Sequence, residues 1–134
     1  MAVDALRGAL EPLASVRLAV LFGSRARGTS GGRSDFDVGL LLADGCRDEW
    51  ARAEAALGRA TGRSVDVIDL ASAPPLLRFE IARDGQVIIE REPALWADFK
   101  ARAMIDWWDW APTARRIHAA AAARVRARAG HGPA

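Results

Sequence analysis

The chain has no tyrosine, one cysteine and one lysine among its 134 residues. The lone cysteine, Cys46, excludes an internal disulfide and fits a reducing compartment. No apolar run approaches the roughly 18 residues that a membrane-spanning helix requires. The opening residues carry Asp4 and lack a basic segment followed by an apolar one, so a cytoplasmic protein with no membrane role is expected. A formal net charge of +2 is too small to make the chain as a whole a ligand for polyanions. Arg115, Arg116, Arg124, Arg126 and Arg128 do gather near the C-terminus. A solvated helix face is the ordinary reading of such a cluster, with RNA contact as the alternative, and no nucleic-acid substrate is expected.

What is present is ordinary globular material: 51% hydrophobic and 27% charged residues. The length fits a single domain over 1–134, with a core over about 13–90 and a helical segment over 93–128. Val3 to Leu10 carries apolar groups at helical intervals. Val16 to Phe22 is a nearly continuous apolar run ended by Gly23 and reads as a buried strand. Arg25 to Gly32 reads as a short helix and then a loop, and Asp35 to Leu42 as a second strand. After a turn at Asp44-Gly45, residues Asp48 to Ala60 form an amphipathic helix with Trp50, Ala53, Leu57 and Ala60 on one stripe, stopped by Gly62.

Ser64 to Leu70 reads as a third strand. Pro74-Pro75 breaks the chain, Leu76 to Arg83 restarts a helix that Gly85 can cap, and Gln86 to Glu90 is a fourth strand. From Pro93 onward the pattern is helical, with Pro112 expected to kink or divide the helix. Trp96, Phe99, Ala103, Trp107, Trp110 and Ile117 recur at three, four or seven residues, as a core-facing stripe does. Trp108 falls off that stripe: either it faces a partner or the phase is wrong by one position. The expected fold class is α+β, with one sheet of about four strands covered by helices and a strand order left open.

The chemistry concentrates in two short motifs ten residues apart. Gly23-Ser24 follows the first strand. Glycine admits close approach of a ligand to the backbone, successive N–H groups of such a turn form an anion nest, and Ser24 adds a hydroxyl. Arg25 and Arg27 are candidates for neutralising phosphate charge. Asp35 and Asp37 then open the second strand. Residues two apart in a strand share a face, ~6.5–7 Å apart. Two like charges ~4 Å apart repel by about 4 kcal/mol at an effective dielectric near 20, a cost that a divalent cation offsets. With eleven aspartates, about one Asp-x-Asp is expected by chance, so the pair gains its meaning from the glycine-serine turn.

Asp66, in the third strand, is the expected third carboxylate. Asp69 competes for the role, but the two sit three apart and face opposite ways in a regular strand. Asp69 at the strand end suits a turn role, so Asp66 is preferred. The pattern points to in-line nucleotidyl transfer: Mg2+ bridging the phosphates of ATP, held by Asp35 and Asp37, with Asp66 sharing the metal and accepting the proton of the attacking hydroxyl.

With Gly23-Ser24, Asp35-Phe36-Asp37 and Asp66 in this order, the chain resembles the DNA polymerase β-type nucleotidyltransferase superfamily, over about Val16 to Glu90. Its size resembles minimal members, in particular MntA-type antitoxins of type VII toxin–antitoxin systems, and Ala101 to Asp109 looks similar to the tail of that family. The resemblance implies a palm-like fold with a mixed sheet. It also implies a HEPN-domain ribonuclease toxin as partner in a hetero-oligomer, and transfer of AMP from ATP to a tyrosine of that toxin. Having no tyrosine, the chain cannot be its own tyrosine acceptor. Two other readings stay open: an antitoxin that acts by binding alone, and a small-molecule nucleotidyltransferase of the aminoglycoside-modifying kind.

Overall fold

The computed structural model describes residues 2–23 and 36–130. Its elements run α1 (Ala2–Leu10), β1 (Val16–Phe22), β2 (Phe36–Leu42), α2 (Glu49–Thr61), β3 (Val65–Asp69), α3 (Pro75–Asp84), β4 (Gln86–Glu90) and α4 (Leu95–Gly130). The four strands form one mixed sheet in the order β3-β2-β1-β4. β1 is antiparallel to both β2 and β4, whereas β2 and β3 are parallel and joined across α2. This α+β arrangement matches the alternation of elements read from the sequence.

Alternation along each strand sends side chains to two separate cores. On one face Val38 and Leu40 of β2 join Leu6 and Leu10 of α1 and Ala53 and Leu57 of α2. The core therefore reaches upstream of residue 13 to include α1. On the other face Leu18, Val20 and Phe22 of β1 meet Leu70 and Ile81, with Leu77, Trp96 and Phe99 packed against them. β1 is central and apolar on both faces, which is why its sequence is almost unbroken by polar residues.

Arg91 closes the seam between the termini of three elements. Its Nε donates to the Val16 carbonyl at 2.7 Å, and Nη2 donates to the carbonyls of Leu10, Glu11 and Leu13 at 3.1, 2.9 and 3.2 Å. Carbonyls at the end of α1 have no partner within the helix, and one guanidinium satisfies several of them.

Three details differ from expectation. Pro112 does not divide the C-terminal helix; it lies inside a continuous α4. The cost is local: its missing N–H and its ring both fall on the Trp108 carbonyl four residues earlier. The preceding turns are tied to α3, since Trp107 stacks on Phe79 with centroids 5.1 Å apart and Arg78 pairs with Asp106 at 2.9 Å. Gly85 caps α3 as expected, its N–H on the Ile81 carbonyl, in an extended conformation (φ −68°, ψ 147°). Glycine is needed there for room: an added Cβ would come within 2.5 Å of Val20 Cγ1 and 3.1 Å of Trp96 Cη2. Pro75, expected to break the chain, is the first residue of α3, where a missing N–H costs nothing. Ala60, placed on the α2 stripe, is exposed, while Ala53 and Leu57 are buried.

The stripe on α4 has the expected phase as far as Trp107, whereas Trp110, placed on it, is exposed. Ala103 is buried, and Trp96, Phe99 and Trp107 are half-buried toward α3 and the sheet. Trp108 is 69% exposed and points away from the fold. The side chain of Ile117 lies outside the described residues. No helix among the described residues is long and apolar enough to cross a membrane.

Candidate active site at the edge of the parallel strand pair

Parallel pairing of β2 with β3 puts Asp37 directly opposite Asp66. Adjacent strands lie about 4.8 Å apart, and paired residues share a face. Phe36 with Val65 and Val38 with Val67 turn to the α1–α2 core. Asp37 and Asp66 therefore occupy the opposite side, the one covered further along the sheet by α3 and α4. Phe22 pairs with Asp37 from the other flank, so β1 brings its C-terminal end, and the turn that follows, to the carboxylates.

Gly23 begins that turn at φ +82°, a left-handed conformation that side chains with a Cβ adopt at a cost. It also lies against Asp37: a Cβ on Gly23 would overlap the Asp37 Oδ2 and sit 3.2 Å from Cγ. The absence of a side chain at 23 is thus what lets the Asp37 carboxylate occupy its position beside the turn. Two residues further into β2, Gly39 accepts the Leu70 side chain, whose Cγ would lie 3.0 Å from an added Cβ. Leu70 is almost fully buried and covers the sheet next to the carboxylates.

The pair is electrostatically uncomfortable. Partial burial raises the Asp37 carboxyl above its ordinary pKa, and the negative charge of Asp66 adds to the rise. Asp66 is exposed. Hard, anionic oxygens from adjacent strands, one of them destabilised by burial and by a like charge, suit a small divalent cation. Among the described residues no third carboxylate, histidine or cysteine completes a metal-sized cluster. Asp35, Ser24, Arg25 and Arg27, the other residues singled out from the sequence, lie outside the described residues.

Asp69 is excluded from the pair by its own bonding. Its carboxylate accepts from the Ala71 N–H at 3.0 Å and the Ser72 hydroxyl at 3.1 Å, which makes it the anchor of the turn after β3. A cavity of about 620 Å³ opens at this opposite end of the sheet, lined by Arg17, Leu41, Arg47, Trp50, Asp69 and Ser72 among others. Sequence reading did not anticipate it, because no single segment carries its signature. It is remote from the carboxylate pair along β2. Arg17 at its edge is engaged by both carboxylate oxygens of Glu92.

An antiparallel-parallel mixed sheet, layered by helices and carrying acidic residues beside a glycine turn, is the architecture of a nucleotidyltransferase catalytic domain. Residues 5–94 match the family described as "Polymerase beta, Nucleotidyltransferase", and the chain belongs to that family. Comparison with curated proteins found no match.

Solved structures share the fold over nearly the whole chain. One is described as a toxin–antitoxin with AMP-PNP: TM-score 0.72, 22% identity, covering 89% of this chain and 97% of that one. Another is the toxin–antitoxin MntA–HepT, with TM-score 0.69, 20% identity and coverage of 90% and 96%. A third is a tri-AMPylated Shewanella oneidensis HEPN toxin in complex with MNT antitoxin, with TM-score 0.68, 19% identity and coverage of 89% and 98%.

Proposed function

We propose that this chain is a protein adenylyltransferase antitoxin, which moves AMP from ATP onto a tyrosine of a HEPN-domain toxin and thereby silences it. The observation that carries the reading is the in-register opposition of Asp37 and Asp66 beside Gly23. Family membership supports nucleotidyl transfer. The likeness to toxin–antitoxin complexes, one with AMP-PNP and one with an AMPylated toxin, supports the nucleotide and the acceptor. The chain works as one minimal catalytic domain over 1–134 and acts in the cytoplasm with its toxin as a hetero-oligomer.

In this reading Asp35, Asp37 and Asp66 are the carboxylates that hold Mg2+, while Gly23 and Ser24 bind the triphosphate, aided by Arg25 and Arg27. Bound magnesium supplies charge neutralisation at the phosphates and the leaving pyrophosphate. Asp66 takes the proton of the tyrosine hydroxyl as its oxygen bonds to the α-phosphorus, and the bond from that phosphorus to the β-phosphate oxygen breaks. The added phosphodiester places bulk and negative charge where the toxin would bind RNA phosphates. Because this chain has no tyrosine, the acceptor must come from another molecule.

Co-expression with a cognate HEPN-domain toxin, followed by intact mass spectrometry of that toxin, tests the proposal. One or more AMP-sized adducts on a tyrosine are expected. A toxin left unmodified by the purified pair in the presence of ATP and Mg2+ would overturn it.

A further inference from the structure

The outer face of α4 carries a seam that the catalytic reading does not use. Ala101, Ile105, Trp108 and Pro112 follow one another at four, three and four residues, and all four are exposed. That spacing is the one by which two helices lie side by side in a coiled-coil contact. Ile105 and Trp108 are large apolar side chains at 55% and 69% exposure, on the opposite side of the helix from the buried Ala103.

The charges beside the seam choose the occupant. Arg102 and Asp109 lie one heptad apart along the same flank, about 10.5 Å at 1.5 Å per residue. Both are exposed, and neither makes an ion pair among the described residues. They bracket Ile105 and Trp108. A second α4 laid parallel would turn the flank of Arg102 and Asp109 toward the uncharged Met104 and Ala111 of the other copy, so no ion pair would form. Laid antiparallel, about a two-fold axis between Ile105 and Trp108, it sets each Arg102 against the other copy's Asp109. Ile105 then packs on Trp108 of the second copy, and both ion pairs form at once. A patch that is complementary to itself under a two-fold rotation is what a symmetric dimer requires.

We propose that the exposed face of α4 pairs two copies of this chain antiparallel through Ile105 and Trp108, with reciprocal Arg102–Asp109 ion pairs. The dimer carries its two carboxylate sites on separate bodies, so one assembly can serve two toxin acceptors.

The test measures the mass of the full chain in solution by light scattering, across a concentration series, alone and with its toxin. A dimer of the chain alone is expected. Trp108→Glu should yield a monomer with unchanged helix content. Arg102→Asp should weaken the dimer at least about tenfold in Kd, through like charges facing each other, and Arg102→Asp combined with Asp109→Arg should recover most of that loss. A wild-type chain that stays monomeric throughout the series would overturn the proposal, as would a dimer whose Kd is unchanged by Arg102→Asp alone. A monomeric chain whose toxin binding is lost in Trp108→Glu would overturn it in favour of the toxin as occupant. All of these readouts are independent of AMP transfer, so failure here leaves the enzymatic reading untouched.

Discussion

Asp37 and Asp66 stand opposite each other in the parallel β2–β3 ladder, on the same face, with the Asp37 carboxyl held above its ordinary pKa first by burial and then by the Asp66 charge. Two acids so placed destabilise the fold unless something positive lies between them. The residues to which the proposed reaction assigns the metal are therefore residues that the free fold would be better without.

Replacing either acid by its amide should separate these two effects. Asp37→Asn and Asp66→Asn should each lower AMP transfer by at least about a hundredfold, since a lost electrostatic contact to the reacting phosphates costs about 2.7–4 kcal/mol. Each should leave the fold as stable as before or more so, by roughly 0.2–1 kcal/mol, the scale of a like-charge pair across strands. Radiolabelled ATP and denaturant melts in EDTA check the two halves. If the double variant still neutralises the toxin fully in cells, binding alone is the operative mode.

The pH dependence follows from the same pair. The folded-state pKa of Asp37 is raised, so the folded protein binds this proton more tightly than the unfolded chain does. Its contribution to stability is fully present below the ordinary aspartate pKa and is lost as pH rises through the raised value. In metal-free buffer, wild type should therefore lose stability relative to Asp37→Asn as pH climbs from the ordinary aspartate value of 3.8 through the raised one. Because Asp37 is only partly buried, solvent screening keeps the effect small. Mg2+ with a non-hydrolysable ATP analogue should raise the melting temperature of wild type and leave Asp37→Asn unmoved. Equal slopes for both proteins would contradict the electrostatic account.

Gly23→Ala should damage the site and the fold together. The left-handed φ costs a side chain roughly 1–2 kcal/mol, and the new Cβ displaces the Asp37 carboxylate. Activity should fall further than stability. A variant with normal kcat would show that the contact between Gly23 and Asp37 has no bearing on transfer.

Gly39→Ala tests the layer beneath the site. Its Cβ would be driven into Leu70, and overpacking of this kind costs about 1–3 kcal/mol. Shortening the opposing side chain should relieve the clash, so Gly39→Ala with Leu70→Ala should be more stable than the sum of the single effects predicts. Strict additivity in a double-mutant cycle would rule out the steric explanation.

Two surface arginines should behave very differently. Arg17 meets Glu92 in an exposed pair, and Arg17→Ala should cost under about 1 kcal/mol. Arg91 donates to four carbonyls from Leu10 to Val16, of which Leu10 and Leu13 also accept backbone N–H groups, and Arg91→Ala should cost about 1–3 kcal/mol through loss of charged donors to partly buried acceptors. Chemical denaturation of both variants gives the comparison, and equal losses would refute it.

Local pattern determined most of the elements and pointed to the candidate acids. β1 came from an unbroken apolar run, α2 from Ala53 and Leu57 at helical spacing and a left-handed Gly62, and Asp69 from its place before a turn. These features depend on residues a few positions apart, whose period and backbone preferences are written in the chain itself. That Asp66 meets Asp37 was a matter of strand order, and α2 lies between the two acids in sequence. Only packing of α2 against α1 and the sheet settles β3 beside β2, in the register that pairs 37 with 66. The same holds for Pro112, carried inside a helix that its neighbours tie down, and for Gly85, kept small by Val20 and Trp96 from distant elements. It holds also for Trp108, left outside because Trp107 fills the space above Phe79. Contacts between segments far apart decided these, and such contacts come into being only when the whole chain has closed on its two cores.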